Sequence, residues 1–213
     1  MEIELKYKIE SKEKMDTIWN DEFLASMEEE GSREQLVIKA TYFDTEDYLL
    51  QKKQIAFRIR KEGERTIGTL KWRDHNPGVD GLYVREEINV PIENDEYFIT
   101  PSPSIFEASE MGKELIDTIG EKELVGIFET VFTRRKLRIE TGNTICEVSL
   151  DEGKILAASK SEPISELEIE LYTGNQNDLI SIGEKIAEKY ELEPEKKSKY
   201  ARAIALVDIN SVK

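Results

Sequence analysis

The chain is poor in residues that staple a fold or hold a soft metal. It has one cysteine, Cys146, among 213 residues, which excludes an internal disulfide framework and any multi-cysteine metal centre. Its one histidine, His75, leaves no His/Cys cluster to hold zinc. No apolar run approaches the ~20 residues that span a bilayer. No basic and then apolar leader precedes the strand-like run at Glu2, so the expectation is a cytoplasmic protein with no membrane partner. Basic residues are outnumbered, 30 against 45 acidic, for a net charge of −15. Such a chain is a poor nonspecific binder of polyanions, so nucleic acid is not expected as its main partner. Repeats, low-complexity linkers and composition breaks are also missing, and one domain over residues 1–213 is expected.

Charge is abundant, at 35% of residues against about 25% in ordinary domains. Its placement follows a period of two, the signature of strands. Ile3, Leu5, Tyr7 and Ile9 alternate with Glu2, Glu4, Lys6 and Lys8. Ile55, Phe57 and Ile59 alternate with Ala56, Arg58 and Arg60, and Leu70 and Trp72 with Thr69, Lys71 and Arg73. Leu82, Val84, Ile88 and Val90 oppose Tyr83, Arg85, Glu87 and Asn89. Leu137 and Ile139 oppose Arg134, Lys136 and Arg138, while Cys146, Val148 and Leu150 oppose Glu147, Ser149 and Asp151. This alternation makes Cys146 a buried core thiol. Leu167, Ile169 and Leu171 oppose Glu166, Glu168 and Glu170. With the run from Leu36 to Asp44 these make eight strands. Gly63, Gly78, Gly81 and Gly142-Asn143 supply turns suited to antiparallel hairpins. Helical patterns are expected over 11–30, from Pro101 and Pro103 to Ile119, from Asn177 to Tyr190, and after Pro194, with Ser11 as a cap. His75 falls in a polar loop expected from Arg73 to Gly81 and reads as a surface residue.

A solvated face is the ordinary reading of charged alternation, but here the polar faces are almost purely ionic and segregated by sign. Glu166, Glu168 and Glu170 stand together, as do Arg58 and Arg60, and like charges on one strand face repel. A ligand carrying both a cation and an anion would relieve that repulsion. Closure of eight strands into a barrel removes both exposed edges and leaves an interior wide enough for one small ligand. The fold class expected is therefore α+β, an eight-stranded closed antiparallel β-barrel with helices packed outside. Eleven candidate lumen bases are Lys6, Lys8, Arg58, Arg60, Lys71, Arg73, Arg85, Arg134, Arg138, Lys199 and Arg202. The eight candidate lumen acids are Glu2, Glu4, Glu87, Glu147, Asp151, Glu166, Glu168 and Glu170. The lumen then carries an excess of three positive charges inside a chain of −15, which favours a compact polyanion. Arg offers phosphate a planar fork and Lys a point charge. The carboxylates would repel a phosphate unless a cation bridges them, and an all-oxygen set selects Mg²⁺ or Mn²⁺. Phosphoryl transfer by positioning and charge neutralisation, with a polarised water attacking the terminal phosphorus, is the chemistry this suits.

These residues resemble the CYTH superfamily, the triphosphate tunnel metalloenzymes. Its N-terminal Glu-x-Glu-x-Lys stands as Glu2-Ile3-Glu4-Leu5-Lys6. The likeness continues through Tyr42-Phe43-Asp44-Thr45, Arg58-Ile59-Arg60, Thr69-Leu70-Lys71, Arg85-Glu86-Glu87, Arg134-Arg135, Leu150-Asp151-Glu152-Gly153, Glu166-Leu167-Glu168-Ile169-Glu170 and Lys197-Ser198-Lys199-Tyr200. The resemblance implies a tunnel enzyme that hydrolyses a small-molecule triphosphate, in which Lys6, Arg58, Arg60, Lys71, Arg134 and Lys199 bind phosphate. It also implies Glu2, Glu4, Asp151, Glu166 and Glu168 as metal ligands, with Glu147 beside them and Glu170 as a further ligand or a solvent-facing residue. Lys6 and Lys71 are catalytic candidates. Tyr42 is another, matching a tyrosine implicated in water activation in thiamine triphosphatases, although it also reads as a core aromatic. A homodimer is compatible with the family.

Vertebrate-type thiamine triphosphatases carry a tryptophan shortly before the paired arginines, where this chain has Ala56. Inorganic triphosphate, or a nucleoside triphosphate taken with little base selection, is therefore the expected substrate. The alternatives are a class IV adenylyl cyclase, a thiamine triphosphatase and a non-catalytic polyphosphate-binding module.

Overall fold

The computed structural model describes residues 1–75, 78–93 and 101–207, and for 73–75 the backbone alone. The eight strands are β1 (Glu2–Lys8), β2 (Glu34–Thr45), β3 (Ala56–Glu62), β4 (Arg65–His75), β5 (Leu82–Ile92), β6 (Leu124–Thr141), β7 (Thr144–Ala157) and β8 (Lys160–Thr173). They close into a barrel in the order β1-β5-β4-β3-β2-β6-β7-β8, every neighbour antiparallel. The loop expected from Arg73 begins later, because a register shift after Trp72 carries β4 on to His75, paired with Val84.

The register explains how strands of one sign coexist. Lys6 lies opposite Glu168, Lys8 opposite Glu166, Lys71 opposite Glu87 and Arg134 opposite Asp151. The acidic faces of β7 and β8 thus border basic positions on β6 and β1, but Asp151 also lies opposite Glu166, and Glu147 and Glu4 opposite Glu170, so cross-strand attraction offsets only part of the repulsion.

The apolar faces point outward under helices. Helices α1 (Lys12–Trp19), α2 (Glu22–Ala25) and α5 (Gln176–Tyr190) place Met15, Ile18, Leu24, Leu179, Ile182 and Ile186 on Leu5, Leu137, Val148, Leu167 and Ile169. At Gly183 an added Cβ would meet Leu5 Cδ1 at 2.5 Å, so the bare backbone lets α5 lie directly on β1. Cys146 belongs to this cluster, and burial, with Asp178 beyond it, pushes its thiol up to about 11. A second cluster joins Phe43, Phe57, Ile59 and Leu70 to Leu50 of α3 (Leu49–Lys52), Phe106 of a 3-10 turn, and Met111, Leu115 and Ile119 of α4 (Glu110–Ile119).

Two details depart from the periodicity. The helix expected over 11–30 is two short helices. The first ends at Asn20, and the Asp21 carboxylate accepts from Phe23 and Leu24 N–H to start a new helix, while Ser11 caps α1 through Lys14 N–H. The last helix, α6 (Lys199–Leu206), packs on the lumen-facing side. Its buried Ala203 belongs to a cluster with Ile38, Ala40, Tyr42, Phe128 and Phe132, which share the strand face of Arg58 and Arg134. One part of the interior is therefore an apolar plug and the rest is ionic.

Candidate active site

The ionic part encloses a cavity of about 570 Å³. Among the described residues its wall carries nine basic side chains, Lys6, Arg58, Arg60, Arg65, Lys71, Arg85, Arg134, Lys136 and Lys199. Seven acidic ones, Glu2, Glu4, Glu62, Glu87, Glu147, Glu168 and Glu170, share it. An interior of mixed sign with a positive excess, inside a chain of −15, concentrates its field on an anion.

The charges form two networks. In one, the Lys199 ammonium is 2.8 Å from both Asp151 Oδ2 and Glu168 Oε1 and also pairs with Glu166. Arg134 forks onto Asp151 with two 2.7 Å bonds, and Lys6 reaches Glu168 at 2.5 Å and Glu4 at 3.1 Å. Burial alone would lower Lys199, but Asp151, Glu166 and Glu168 raise it. Burial alone would raise Glu168, but Lys199, Lys6 and Arg134 hold it well below the carboxylate range. Glu166 goes the other way: burial, reinforced by Glu168 and Asp151, outweighs Lys199 and raises it. In the second network Lys71 bridges Glu2 at 2.6 Å and Glu87 at 2.5 Å. Burial opposes ionisation of Glu87, yet Lys71 and Arg58 bring it to about 2.

Two groups stand outside this pairing. Arg58 has no carboxylate within ion-pair distance among the described residues. Its Nη1 donates to Tyr42 Oη at 3.2 Å, and its buried Nε has no acceptor. Beside it, burial and then Arg58 lower Arg60 to about 10. Glu170 likewise has no hydrogen bond or ion pair among the described residues, and burial followed by Glu2 and Glu4 lifts it to about 7. Arg60 itself pairs with Glu62 at 2.9 Å, whereas Arg58 lacks a carboxylate and Glu170 lacks a cation among the described residues.

Asp151, Glu166 and Glu168 bring carboxylate oxygens within 4.8 Å of one another. The ammonium of Lys199 among them shows that the set accepts a positive charge. Oxygen donors of this kind fit a hard divalent cation. Glu4 approaches the set through Lys6, whereas Glu2 turns to Lys71, and Glu147 turns to Lys136 at 3.1 Å and Tyr172 at 2.7 Å.

The remaining sequence candidates are scattered. Lys8 is exposed and does not line the cavity. Arg138 sits at the rim, 3.0 Å from Glu29 and half exposed. Arg202 is buried away from the cavity, tying α6 to Glu162 at 2.6 Å. The side chains of Arg73 and His75 lie outside the described residues. Tyr42 is both a lining residue and a core aromatic, stacked on Phe128 with ring centroids 4.4 Å apart. Burial opposes ionisation of its phenol, but Arg58 lowers its pKa. Sequence reasoning missed Lys136 and Arg65, although Lys136 shares the strand parity of Arg134. It also missed Gln51, Gln54 and Trp72. The glutamines lie in an aperiodic connection, and Trp72 was assigned to the outer row.

A closed antiparallel barrel with a lumen of opposed charges is the architecture of the tunnel-fold proteins. The sequence matches the CYTH domain family over residues 1–204, and the chain belongs to that family. It is 34% identical over 151 residues to the inorganic triphosphatase of Haemophilus influenzae. That match covers 71% of this chain and 40% of the relative, so the chain spans about two-fifths of its length. In structure it is similar to HpAC1 from Hippeastrum, an adenylyl cyclase candidate described as having a dominant triphosphatase activity (TM-score 0.69, 21% identity, 97% of each chain). It is also similar to the PH1819 protein of Pyrococcus horikoshii OT3 (TM-score 0.59, 20% identity, 97% and 99% covered). At these identities the two structures speak for the fold alone.

Proposed function

We propose that this chain binds a small-molecule triphosphate in the barrel lumen and hydrolyses its terminal phosphoanhydride with the help of Mg²⁺ or Mn²⁺. Inorganic triphosphate suffices as substrate. The observation that carries this reading is Arg58, a buried cation with no carboxylate partner among the described residues, set beside Arg60 and across from the carboxylate set. A buried unpaired charge is costly, and an anionic ligand relieves that cost.

In this reading Arg58 and Arg60 fork onto the phosphate oxygens, and Lys6 and Lys71 meet the chain as point charges. Tyr42 receives the Arg58 hydrogen bond at Oη and keeps its own O–H to donate to a phosphate oxygen. Asp151, Glu166 and Glu168, with Glu4 beside them, would hold a divalent cation. That ion, when bound, neutralises phosphate oxygens and polarises the terminal phosphoryl group. Water then forms the new P–O bond as the bridging P–O bond breaks, giving orthophosphate and the shortened phosphate. The water's proton leaves with the products. The arginines and lysines spread the charge that builds on the leaving group.

The test is product analysis with purified protein and inorganic triphosphate, ATP and thiamine triphosphate, each with Mg²⁺, Mn²⁺ or chelator. Metal-dependent orthophosphate release supports the reading. Cyclic AMP with diphosphate replaces it by a cyclase, and triphosphate binding without product replaces it by a binding module.

A further inference from the structure

Lys71, one of the two lysines set to meet the triphosphate, is placed by residues further along the same two strands. On the lumen face of β4 and β5, Lys71 lies opposite Glu87 and Thr69 opposite Asn89. Ile88 and Val90 alternate with Glu87 and Asn89 and pack on the outer cluster, so the pleat fixes both pairs on the cavity side. The Thr69 hydroxyl donates to Asn89 Oδ1 at 2.7 Å, and Asn89 Nδ2 donates to Glu87 Oε1 at 2.5 Å. The other carboxylate oxygen, Glu87 Oε2, pairs with the Lys71 ammonium at 2.5 Å. Lys71 ends the line of contacts on the two Glu2 carboxylate oxygens, at 2.6 and 2.8 Å.

The direction of the hydrogen bonds is determined. Thr69 is fully buried, and a hydroxyl has one proton, which goes to Asn89. The carboxamide N–H is thereby turned to Glu87, since a flipped amide would set its oxygen against the carboxylate. Asn89 is exposed and lines the cavity, so these two bonds and not packing hold it. Among the described residues Glu87 has hydrogen bonds or ion pairs with Lys71 and Asn89 alone. Glu168, which holds Lys6, is by contrast fixed by Lys199 and Arg134 as well. The neutrality of the support at Glu87 matters. A cation in place of Asn89 would compete with Lys71 for the carboxylate, and an anion would repel it. A carboxamide orients Glu87 and leaves its charge to Lys71.

We propose that Asn89, set by Thr69, is a positioning residue that orients the Glu87 carboxylate and through it holds the Lys71 ammonium at the phosphate chain. Lys71 meets charge that builds on the leaving group, so its misplacement falls on kcat more than on KM. The catalytic consequence rests on the triphosphate reading of the lumen, whereas the placement of Lys71 is a property of the ligand-free chain.

The experiment has two arms, both in the full chain. With Mg²⁺ and inorganic triphosphate, Asn89→Ala and Thr69→Val should each lower kcat about tenfold with KM little changed, the scale of a lost hydrogen bond to a charged group. Thr69→Ser, which keeps the hydroxyl, should restore most of the rate. In a Lys71→Met background Asn89→Ala should cost nothing further, because its effect passes through Lys71. The second arm needs no substrate. In proton–nitrogen spectra of the lysine side chains, the Lys71 ammonium, assigned by its loss in Lys71→Met, should exchange slowly with water in the unaltered chain and faster in Asn89→Ala. Unchanged kcat, a full additional loss in the Lys71→Met background, or an ammonium signal indifferent to Asn89 overturns the proposal. If the unaltered chain hydrolyses no triphosphate, the hydrolase reading fails, yet the ammonium signal still decides whether Asn89 places Lys71.

Discussion

Single residues in this lumen are defined by what they are paired with. Arg58, without a carboxylate partner among the described residues, should be the residue whose loss most weakens triphosphate binding. Arg58→Ala is expected to raise the Kd for triphosphate on the order of tenfold to a hundredfold by calorimetry, the scale of a lost charge-assisted contact. Unchanged affinity would remove it from the site. Glu168 has the opposite character, touching Lys6, Lys199 and Arg134. Glu168→Gln keeps the shape and removes the charge, so metal-dependent turnover should vanish while circular dichroism stays native. Glu170 makes a pH prediction. Burial and then Glu2 and Glu4 raise it to about 7 from an ordinary ~4.3. The folded protein keeps a proton that the unfolded chain has released. Its contribution is thus whole below pH ~4.3 and is lost as pH climbs through about 7. In chelator, urea melts should show stability falling from about pH 5 to 8, and Glu170→Gln should flatten that fall. Most of these residues were legible, because alternation puts a side chain on a known face. Their partners were not, because pairing across strands depends on register, which no local pattern in β1 or β8 records.

At the scale of elements, the strands were readable and the connections less so. Seven alternating runs and the run from Leu36 to Asp44 became eight strands, since a period of two is set by the pleat itself. The β2–β3 connection carries no period, and its short helix α3 depends on a single buried carboxylate. Asp44→Ala would orphan three backbone N–H groups and should cost about 2–4 kcal/mol in a denaturant melt. Asp44→Asn, which keeps one acceptor, should cost less; equal cost would mean that the charge and not the hydrogen bonding holds the turn. The break at Asp21 was missed for a related reason, as the helical stripe through Met15, Ile18 and Phe23 gives no sign that a carboxylate will restart the helix. Helix α6 has an apolar face like the outer helices. Only the charges at Lys199 and Arg202 distinguish it; Lys199 does line the cavity, whereas Arg202, read as a lumen base, ties α6 to Glu162 away from it.

For the whole molecule, positive charge is gathered inside and the surplus of negative charge is left outside. A triphosphate with its cation should neutralise both orphaned groups in one event. It should raise the melting temperature, by the ligand-linkage relation, as ligand concentration exceeds Kd. No shift at millimolar concentrations, in differential scanning fluorimetry with and without Mg²⁺, would mean that the lumen charges are merely solvated. Closure of the ring has a further consequence, for the birth of the protein. The first strand made is clasped by the last: Lys6 and Glu168, partners in the lumen, are 162 residues apart. Until β8 has left the ribosome, β1 can pair only with β5, and β7 presents an open edge. Every nascent chain therefore passes through a gaping, half-neutralised sheet, a topology of slow folding and of exposed edges that invite misassembly. Chains stopped between β7 and β8 should depend on chaperones for their solubility, whereas the completed ring has no edge left to guard.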